Sequence, residues 1–182
     1  MARVLEKATL AGGCFWCIEA IFKRLRGVGD VVSGYSGGEG KEPSYEAVSG
    51  GTTGHAETIQ ITFDPQVISY ETLLEVFFKL VDPTTLNRQG SDAGTQYRSV
   101  IFYHNIEQRR VAEKVKGKIE KSGMYKSSVV TEIVPLANFY KAEDYHQDFY
   151  GKNRLYPYCQ IIIDPKITKL YENFGEIVKR WV

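Results

Sequence analysis

Two of the three cysteines in this chain lie three positions apart in AGGCFWCIEA (11–20), forming a C-x-x-C around Phe15 and Trp16. The spacing suits thiol redox chemistry, while the aromatics suit a greasy pocket. Apolar residues at Phe15, Ile18, Phe22 and Leu25 predict a helix over 14–25, so Cys14 falls near its amino terminus. There the partial positive end of the helix dipole favours the thiolate, the nucleophilic form of cysteine. Gly12 and Gly13 let the backbone turn tightly into the helix and leave the sulfur approachable. The alternative for Cys14 is a small buried hydrophobe, a common fate of a free thiol. The glycines before it and the second cysteine after it favour reactivity. Phe15 and Trp16, on spacing alone, read as core.

Glu57 is placed unusually. HAETIQITF (55–63) alternates as a strand, and Glu57 shares its inward face with Ile59, Ile61 and Phe63. Burial disfavours the charged form of a carboxyl, and a neutral acid can donate both a hydrogen bond and a proton. Otherwise Glu57 lies at a frayed strand start and meets water. Tyr35, Tyr45 and Tyr97 stand in polar stretches, each a donor on an apolar ring, suited to holding a polar oxygen in a dry pocket. Taken singly, each is also compatible with packing. Asp92 and Arg98 in GSDAGTQYR either orient these phenols or make a turn. His55, His104 and His146 are too scattered to define a metal site.

Several elements must position these groups. VLEKATL (4–10) reads as a strand broken by Gly12-Gly13. The Gly- and Ser-rich stretch 32–54 reads as a long loop, of a length that is usually functional or disordered. Ser69 is the expected N-cap of a helix over 70–81, stopped by Asp82-Pro83. A second polar loop (84–98) precedes a strand over 99–104. Asn105 and Gln108 resemble a capping box opening a helix through Ser122, with Gly123 as its stop. A strand is expected over 129–136, a short helix over 142–150, and a strand or extended loop over 158–163. A last helix follows Asp164-Pro165, with Leu170, Phe174 and Val178 inward. Strands and helices mix without strict βαβ alternation, which indicates an α+β fold. At 182 residues, without repeats or a low-complexity linker, one domain spanning 1–182 is expected.

Composition excludes several function classes. The 23 basic and 22 acidic residues leave a net charge of +1, which gives no reason to expect nucleic acid or an anionic membrane as partner. No apolar run approaches the roughly 18 residues of a membrane span. MARVLEKATLAGG lacks an apolar signal segment, so a cytoplasmic location is expected. Three cysteines are too few and too odd in number for a secreted disulfide framework.

GGCFWC (12–17), SYEAVSGGTTGHAE (44–57), DPTTLNRQGSDAGTQYRS (82–99), AEDYHQ (142–147) and PYC (157–159) resemble type A peptide methionine sulfoxide reductases, over residues 9–166. The resemblance implies a two-layer α/β sandwich with a ferredoxin-like core. It implies Cys14 as nucleophile, Phe15 and Trp16 as the pocket for the sulfoxide methyl group, and Glu57 as acid. Tyr45, Asp92 and Tyr97 would help hold the sulfoxide oxygen, and Cys159 would be the resolving cysteine. Many relatives have Gly where this chain has Cys17. The implied cycle runs through a Cys14 sulfenic acid and an intramolecular disulfide returned to thiols by a thioredoxin-type reductant. It implies no metal or organic cofactor, and as substrates the S epimer of methionine sulfoxide, free or in oxidised proteins. A monomer is expected.

Two other classes fit the cysteines. A general thioredoxin-like oxidoreductase uses C-x-x-C at a helix start but needs neither a buried Glu nor a set of Tyr donors. A zinc module would use Cys14, Cys17, Cys159 and one histidine, but paired knuckles are absent. Cys159 is favoured over Cys17 as the first partner of Cys14, since Cys17 lies one turn deeper on the same helical face; Cys17 is then a second-stage relay.

Overall fold

The computed structural model describes residues 4–180, so the expected 1–182 domain includes five terminal residues outside the described ones. In chain order the elements begin with β1 (Glu6–Ala11), α1 (Phe15–Phe22), β2 (Val28–Ser36), α2 (Tyr45–Ser49), β3 (Ala56–Phe63) and α3 (Tyr70–Leu80). There follow β4 (Arg88–Gln89), β5 (Asp92–Ala93), β6 (Val100–Tyr103), α4 (Ile106–Lys121), β7 (Glu132–Pro135) and β8 (Tyr140–Lys141). Two helices close the series, α5 (Phe149–Lys152) and α6 (Asp164–Phe174).

Six strands form one sheet in the order β7-β6-β1-β3-β2-β8. The inner four and β8 pair antiparallel, and only β7 runs parallel to its neighbour. The central order β6-β1-β3-β2, with α1 following β1 and α3 following β3, is the split-βαβ arrangement of a ferredoxin-like core. The α+β expectation holds, with helices layered on one face of the sheet. Leu10, Ile59, Ile61, Phe63 and Ile101 turn toward those helices and join the main core. Ala11, Ala56, Val100 and Phe102 form a smaller cluster. The period of two along β1, β3 and β6 separates the two sets.

Caps end the elements where the sequence places them. Ser69 Oγ accepts the Thr72 amide at 3.0 Å, and Asn105 Oδ1 accepts the Gln108 amide at 2.9 Å. Gln108 Oε1 in turn accepts the His104 amide, tying the start of α4 to β6. Gly123 takes a positive φ of 71° two residues past the end of that helix.

Four expectations change. Residues 32–36 belong to β2 rather than to a loop, and α2 interrupts the remainder of 32–54. Gly34 suggested a loop, yet it sits in a strand because β8 passes close by: a Cβ there would lie 2.4 Å from the Tyr140 carbonyl oxygen. The strand expected over 129–136 shortens to 132–135, and 142–150 is a short turn at Asp144–His146 followed by α5. Finally, Cys159–Ile163 is a wide helical turn running into α6, not a strand or extended loop. Its buried residues, Cys159 and Ile163, are four apart, while Ile161 is exposed. That helical spacing against the core overrides the strand preference of three consecutive isoleucines.

Candidate active site

The carboxyl end of β1 and the start of β3 meet at one edge of the sheet, with Ala11 opposite Thr58 and Tyr35 of β2 opposite Glu57. The chain leaves β1 through Gly12 and Gly13. A Cβ on Gly12 would stand 2.8 Å from Val81 Cγ1, and Gly13 has a φ of +83° with its N–H donated to the Tyr97 carbonyl at 3.2 Å. Both positions therefore require glycine, one for space and one for conformation.

Cys14 is the N-cap of α1, extended at φ −60° and ψ 127°, and its carbonyl accepts the Cys17 amide at 3.1 Å. The Phe15 amide, one of the donors a helix start leaves without a partner in the helix, is accepted by Glu57 Oε2 at 3.0 Å. Strand β3 thus delivers the carboxyl to the first turn of the helix that bears the sulfur. Glu57 is only 1% exposed, so it lies on the buried face and not at a frayed end. Burial raises its pKa to about 8, against the opposing pull of the Phe15 amide. The nearby Asp92 carboxylate adds to the rise. At neutral pH the site holds a protonated acid.

Cys14 differs from expectation. It is 7% exposed, and burial pushes its thiol well above the ordinary value, reinforced by Cys17 and by Glu57. These effects outweigh the helix terminus, so the resting Cys14 is a thiol. The Cys14 sulfur, the largest influence on its neighbour, lowers the Cys17 thiol to about 7. The two thiols titrate as a pair. Cys17 also lies 3.5 Å from the Tyr158 hydroxyl, which donates to Asp92 Oδ2 at 2.7 Å.

Around this pair the aromatics make a box. Phe15 is fully buried as its floor, packed on Tyr35 and His146. Trp16 is half-buried and stacked on Phe149, with ring centroids 3.7 Å apart and planes within 6°. Tyr45 and Tyr97 are half-buried, and burial raises both phenols, with the charges of Glu57 and Cys14 adding to it. They therefore remain O–H donors beside the acid and the sulfur. Tyr35 leaves this group: it is buried in β2 and donates to Glu143 Oε2 at 2.7 Å. Arg98 binds the Thr95 and Gly37 carbonyls and pairs with Glu132, so it braces loops and does not orient the phenols.

Cys159 opens the wide turn Cys159–Ile163. It is 0% exposed behind Tyr158; burial raises its thiol, and the charges of Asp164 and Cys17 act in the same direction. The three cysteines are all free thiols.

Residue-by-residue reading passed over four contributors: Glu143, His146, Phe149 and Tyr158. Glu143 receives both the Tyr35 hydroxyl and the Tyr45 amide, the latter at 2.8 Å on Oε1. His146 accepts the Trp16 indole N–H on Nδ1 at 3.0 Å, which places its own proton on Nε2. Burial lowers its pKa, so it is neutral at pH 7. Gln147 clamps both the N–H and the carbonyl of Ser33 at the edge of β2. The signal was the AEDYHQ motif, in which three of six residues anchor the site, although nothing in its own periodicity shows it.

Among the described residues no group of three or more His, Cys, Asp or Glu side chains could hold a metal ion, so the zinc alternative is not assembled. No helix of the described residues is long and apolar enough to cross a membrane.

A buried thiol pair at a helix start, facing a protonated carboxyl and phenolic donors, defines a thiol-dependent oxidoreductase site with a pocket for an apolar group beside a polar oxygen. The sequence of residues 6–177 matches the model of the family "Peptide methionine sulfoxide reductase", and the chain belongs to that family. It is 56% identical to the peptide methionine sulfoxide reductase MsrA of Sulfolobus acidocaldarius, over 94% of this chain and 97% of that one. Its fold is similar to the reduced form of Mxr1 from Saccharomyces cerevisiae, with a TM-score of 0.75 and 38% identity over 82% of this chain and 86% of that one. Mxr1 in complex with Trx2 is also similar, with a TM-score of 0.55 and 27% identity over 80% of this chain and 84% of that one.

Proposed function

We propose that this chain reduces the S epimer of methionine sulfoxide to methionine, and that the three cysteines carry the oxidising equivalent away in the order Cys14, Cys17, Cys159. The observation that carries the reading is the protonated Glu57 carboxyl, held 3.0 Å from the first amide of the helix that Cys14 caps. Disulfide exchange, whose leaving group departs as a thiolate, does not require such an acid; a reaction that expels oxygen does.

The methyl group of the substrate rests on Phe15 and the Trp16–Phe149 stack. Its oxygen meets the Tyr45 and Tyr97 hydroxyls and the Glu57 proton, with Asp92 holding the loop side of the pocket through Tyr158. Cys14 sulfur attacks the sulfoxide sulfur as Glu57 protonates the oxygen. The Cys14 thiol proton passes to the Glu57 carboxylate, so the acid is restored. The hydroxyl then moves from the substrate sulfur to Cys14, breaking both the substrate S–O bond and the Cys14–substrate S–S bond formed in the attack, and leaves methionine and a sulfenic acid. The phenols stabilise charge developing on oxygen, as an oxyanion hole does. The Cys17 thiol then displaces water from the sulfenic acid to form a Cys14–Cys17 disulfide.

Support for Cys17 as the first partner is its place in the same helical turn, with its amide on the Cys14 carbonyl at 3.1 Å, and its lowered pKa of about 7. Cys159, as buried as Cys17, has its thiol raised rather than lowered, by burial and by the charges of Asp164 and Cys17. Its thiol next exchanges with Cys17, freeing Cys14 and leaving a Cys17–Cys159 disulfide. The complex of Mxr1 with Trx2 supports a thioredoxin-type dithiol as the donor that reduces this last bond.

Turnover of each sulfoxide epimer with thioredoxin tests the activity. Reduction of the S epimer alone is expected, and inactivity on both while an insulin disulfide is reduced overturns it. Mass spectrometry of Cys159→Ser after one equivalent of substrate tests the order: a Cys14–Cys17 disulfide is expected, and a persistent sulfenic acid overturns it.

A further inference from the structure

The aromatic box depends on a stack between two separate segments. Trp16 stands on α1, whereas Phe149, which covers it, opens a helix of only four residues. A helix that short does not hold its own shape in water, so the place of Phe149 is set by what surrounds it.

Asp148, immediately before Phe149, has φ 52° and ψ 39°, a left-handed conformation. A residue with a side chain persists there only where its surroundings hold it. On one side Gln147 grips both the N–H and the carbonyl of Ser33 in β2. On the other, a Cβ on Gly151 would stand 2.6 Å from Asp148 Oδ2, so α5 wraps closely over the Asp148 carboxyl. The turn at Asp148 is therefore where the chain passes from the sheet edge to the face of α1.

The group that meets it there is Glu19, three residues on from Trp16 and so one turn along the same side of the helix. Glu19 is 2% exposed, yet it stands in the otherwise apolar run of α1, FWCIEAIF. Its Oε1 accepts the Asp148 N–H at 2.9 Å. Lys23 Nζ lies 3.6 Å from the same oxygen and 3.0 Å from Asp148 Oδ1, tying the Asp148 side chain to α1 as well. Burial pushes the Glu19 carboxyl upward, and the Asp148 amide and Lys23 pull it back. A buried carboxyl is costly unless its hydrogen bonds hold something in place, and no step of the reaction above uses Glu19.

We propose that Glu19 is a positioning residue for sulfoxide binding: its hold on the Asp148 amide fixes the left-handed turn that lays Phe149 on Trp16 and closes the methyl pocket. The inference rests on the sulfoxide reductase reading above and adds how that pocket is kept closed. Glu19 touches no substrate and acts through the backbone of Asp148.

The test pairs steady-state kinetics on N-acetyl-methionine S-sulfoxide amide with acrylamide quenching of Trp16. A Trp181→Phe background leaves Trp16 as the one tryptophan of the chain. Glu19→Ala should raise KM roughly threefold to tenfold with kcat within about twofold, because the methyl contact is made in ground and transition states alike. The same variant should leave Trp16 more readily quenched. Glu19→Gln keeps an acceptor for the Asp148 amide and should match the parent in KM and in quenching. Asp148→Val places a β-branched residue where φ is positive, and it should reproduce both effects of Glu19→Ala with Glu19 intact. Combining the two should add nothing, since both act through one turn. Asp148→Val also keeps the test decisive if Glu19→Ala folds poorly. Unchanged KM and quenching in Glu19→Ala overturn the proposal, as do a Gln variant as impaired as the Ala variant and effects that add in the double variant. A fall in kcat at unchanged KM overturns it too, in favour of a role in the chemical step. A wild type that reduces no sulfoxide sinks the parent reading instead, and quenching of the same variants then still decides whether Glu19 sets the stack.

Discussion

The two ends of the active site are built differently. Cys14, Cys17 and Glu57 stand on the first turn of α1 and the first residues of β3, two elements locked by the central sheet and fixed to each other through the Phe15 amide. The groups that close over them come from residues 142–163, where a three-residue turn, the four-residue α5 and the wide Cys159–Ile163 turn replace longer regular elements. The first region fixes reacting atoms, which chemistry rewards with small tolerances. The second is held by side-chain hydrogen bonds such as Tyr158 to Asp92 and Glu143 to Tyr35, which can be exchanged without unmaking the sheet. In the proposed cycle, rigid placement serves the oxygen transfer, and replaceable contacts serve the disulfide steps that bring Cys159 to Cys17.

Breaking the rigid side should cost most. Cys14→Ser is expected to abolish sulfoxide reduction with circular dichroism and melting behaviour preserved, because a hydroxyl is a poor nucleophile at neutral pH. Glu57→Gln should follow, with a fall of ~10²–10⁴-fold in single-turnover rate, since Gln can donate a hydrogen bond but no acidic proton. Wild-type rate should fall as pH rises through about 8, where Glu57 loses its proton, and the Gln variant should lack that limb.

The same residue makes a stability prediction of opposite sign. A carboxyl whose pKa is raised on folding contributes fully below its unfolded value, and that contribution is lost as pH rises through about 8. Glu57→Gln escapes the loss while keeping an acceptor for the Phe15 amide. At pH 9 it should melt above wild type, by on the order of a few kcal/mol in unfolding free energy.

Substitutions on the replaceable side should be milder. Glu143→Gln leaves one acceptor oxygen for two donors, the Tyr35 hydroxyl and the Tyr45 amide. A loss of ~1–3 kcal/mol in denaturant unfolding is expected. A drop of about tenfold in kcat/KM should accompany it, equivalent to ~1.4 kcal/mol of lost positioning. Tyr158→Phe should be smallest, slowing disulfide formation by roughly twofold to fivefold, on the order of one neutral hydrogen bond. It should also raise the Cys17 pKa above about 7, because the hydroxyl is one of the groups lowering it; thiolate absorbance against pH measures this.

Legibility in the sequence followed the same division. Glu57 could be placed on the buried face because a period of two is local and needs no partner to be read. The caps at Ser69 and Asn105 and the stop at Gly123 are equally local. Gly34 misled because its reason lies 2.4 Å away in the Tyr140 carbonyl, a contact across more than 100 residues of chain. Cys159–Ile163 misled because strand preference in QIII loses to the burial of two residues four apart. The roles of Glu143 and His146 depend on partners in β2, α1 and α2, so only their motif, and not their spacing, marked them.

The burial of Cys14 has a consequence for survival under oxidative attack. Peroxides oxidise the thiolate much faster than the thiol. A sulfur held protonated and 7% exposed is therefore a slow target for hydrogen peroxide, even where damaged methionines are most abundant. In the proposed mechanism it becomes nucleophilic only when a sulfoxide takes the Glu57 proton and leaves a carboxylate to receive its own. On that mechanism, selectivity for repair over self-destruction is set by the order in which two protons move within one closed pocket.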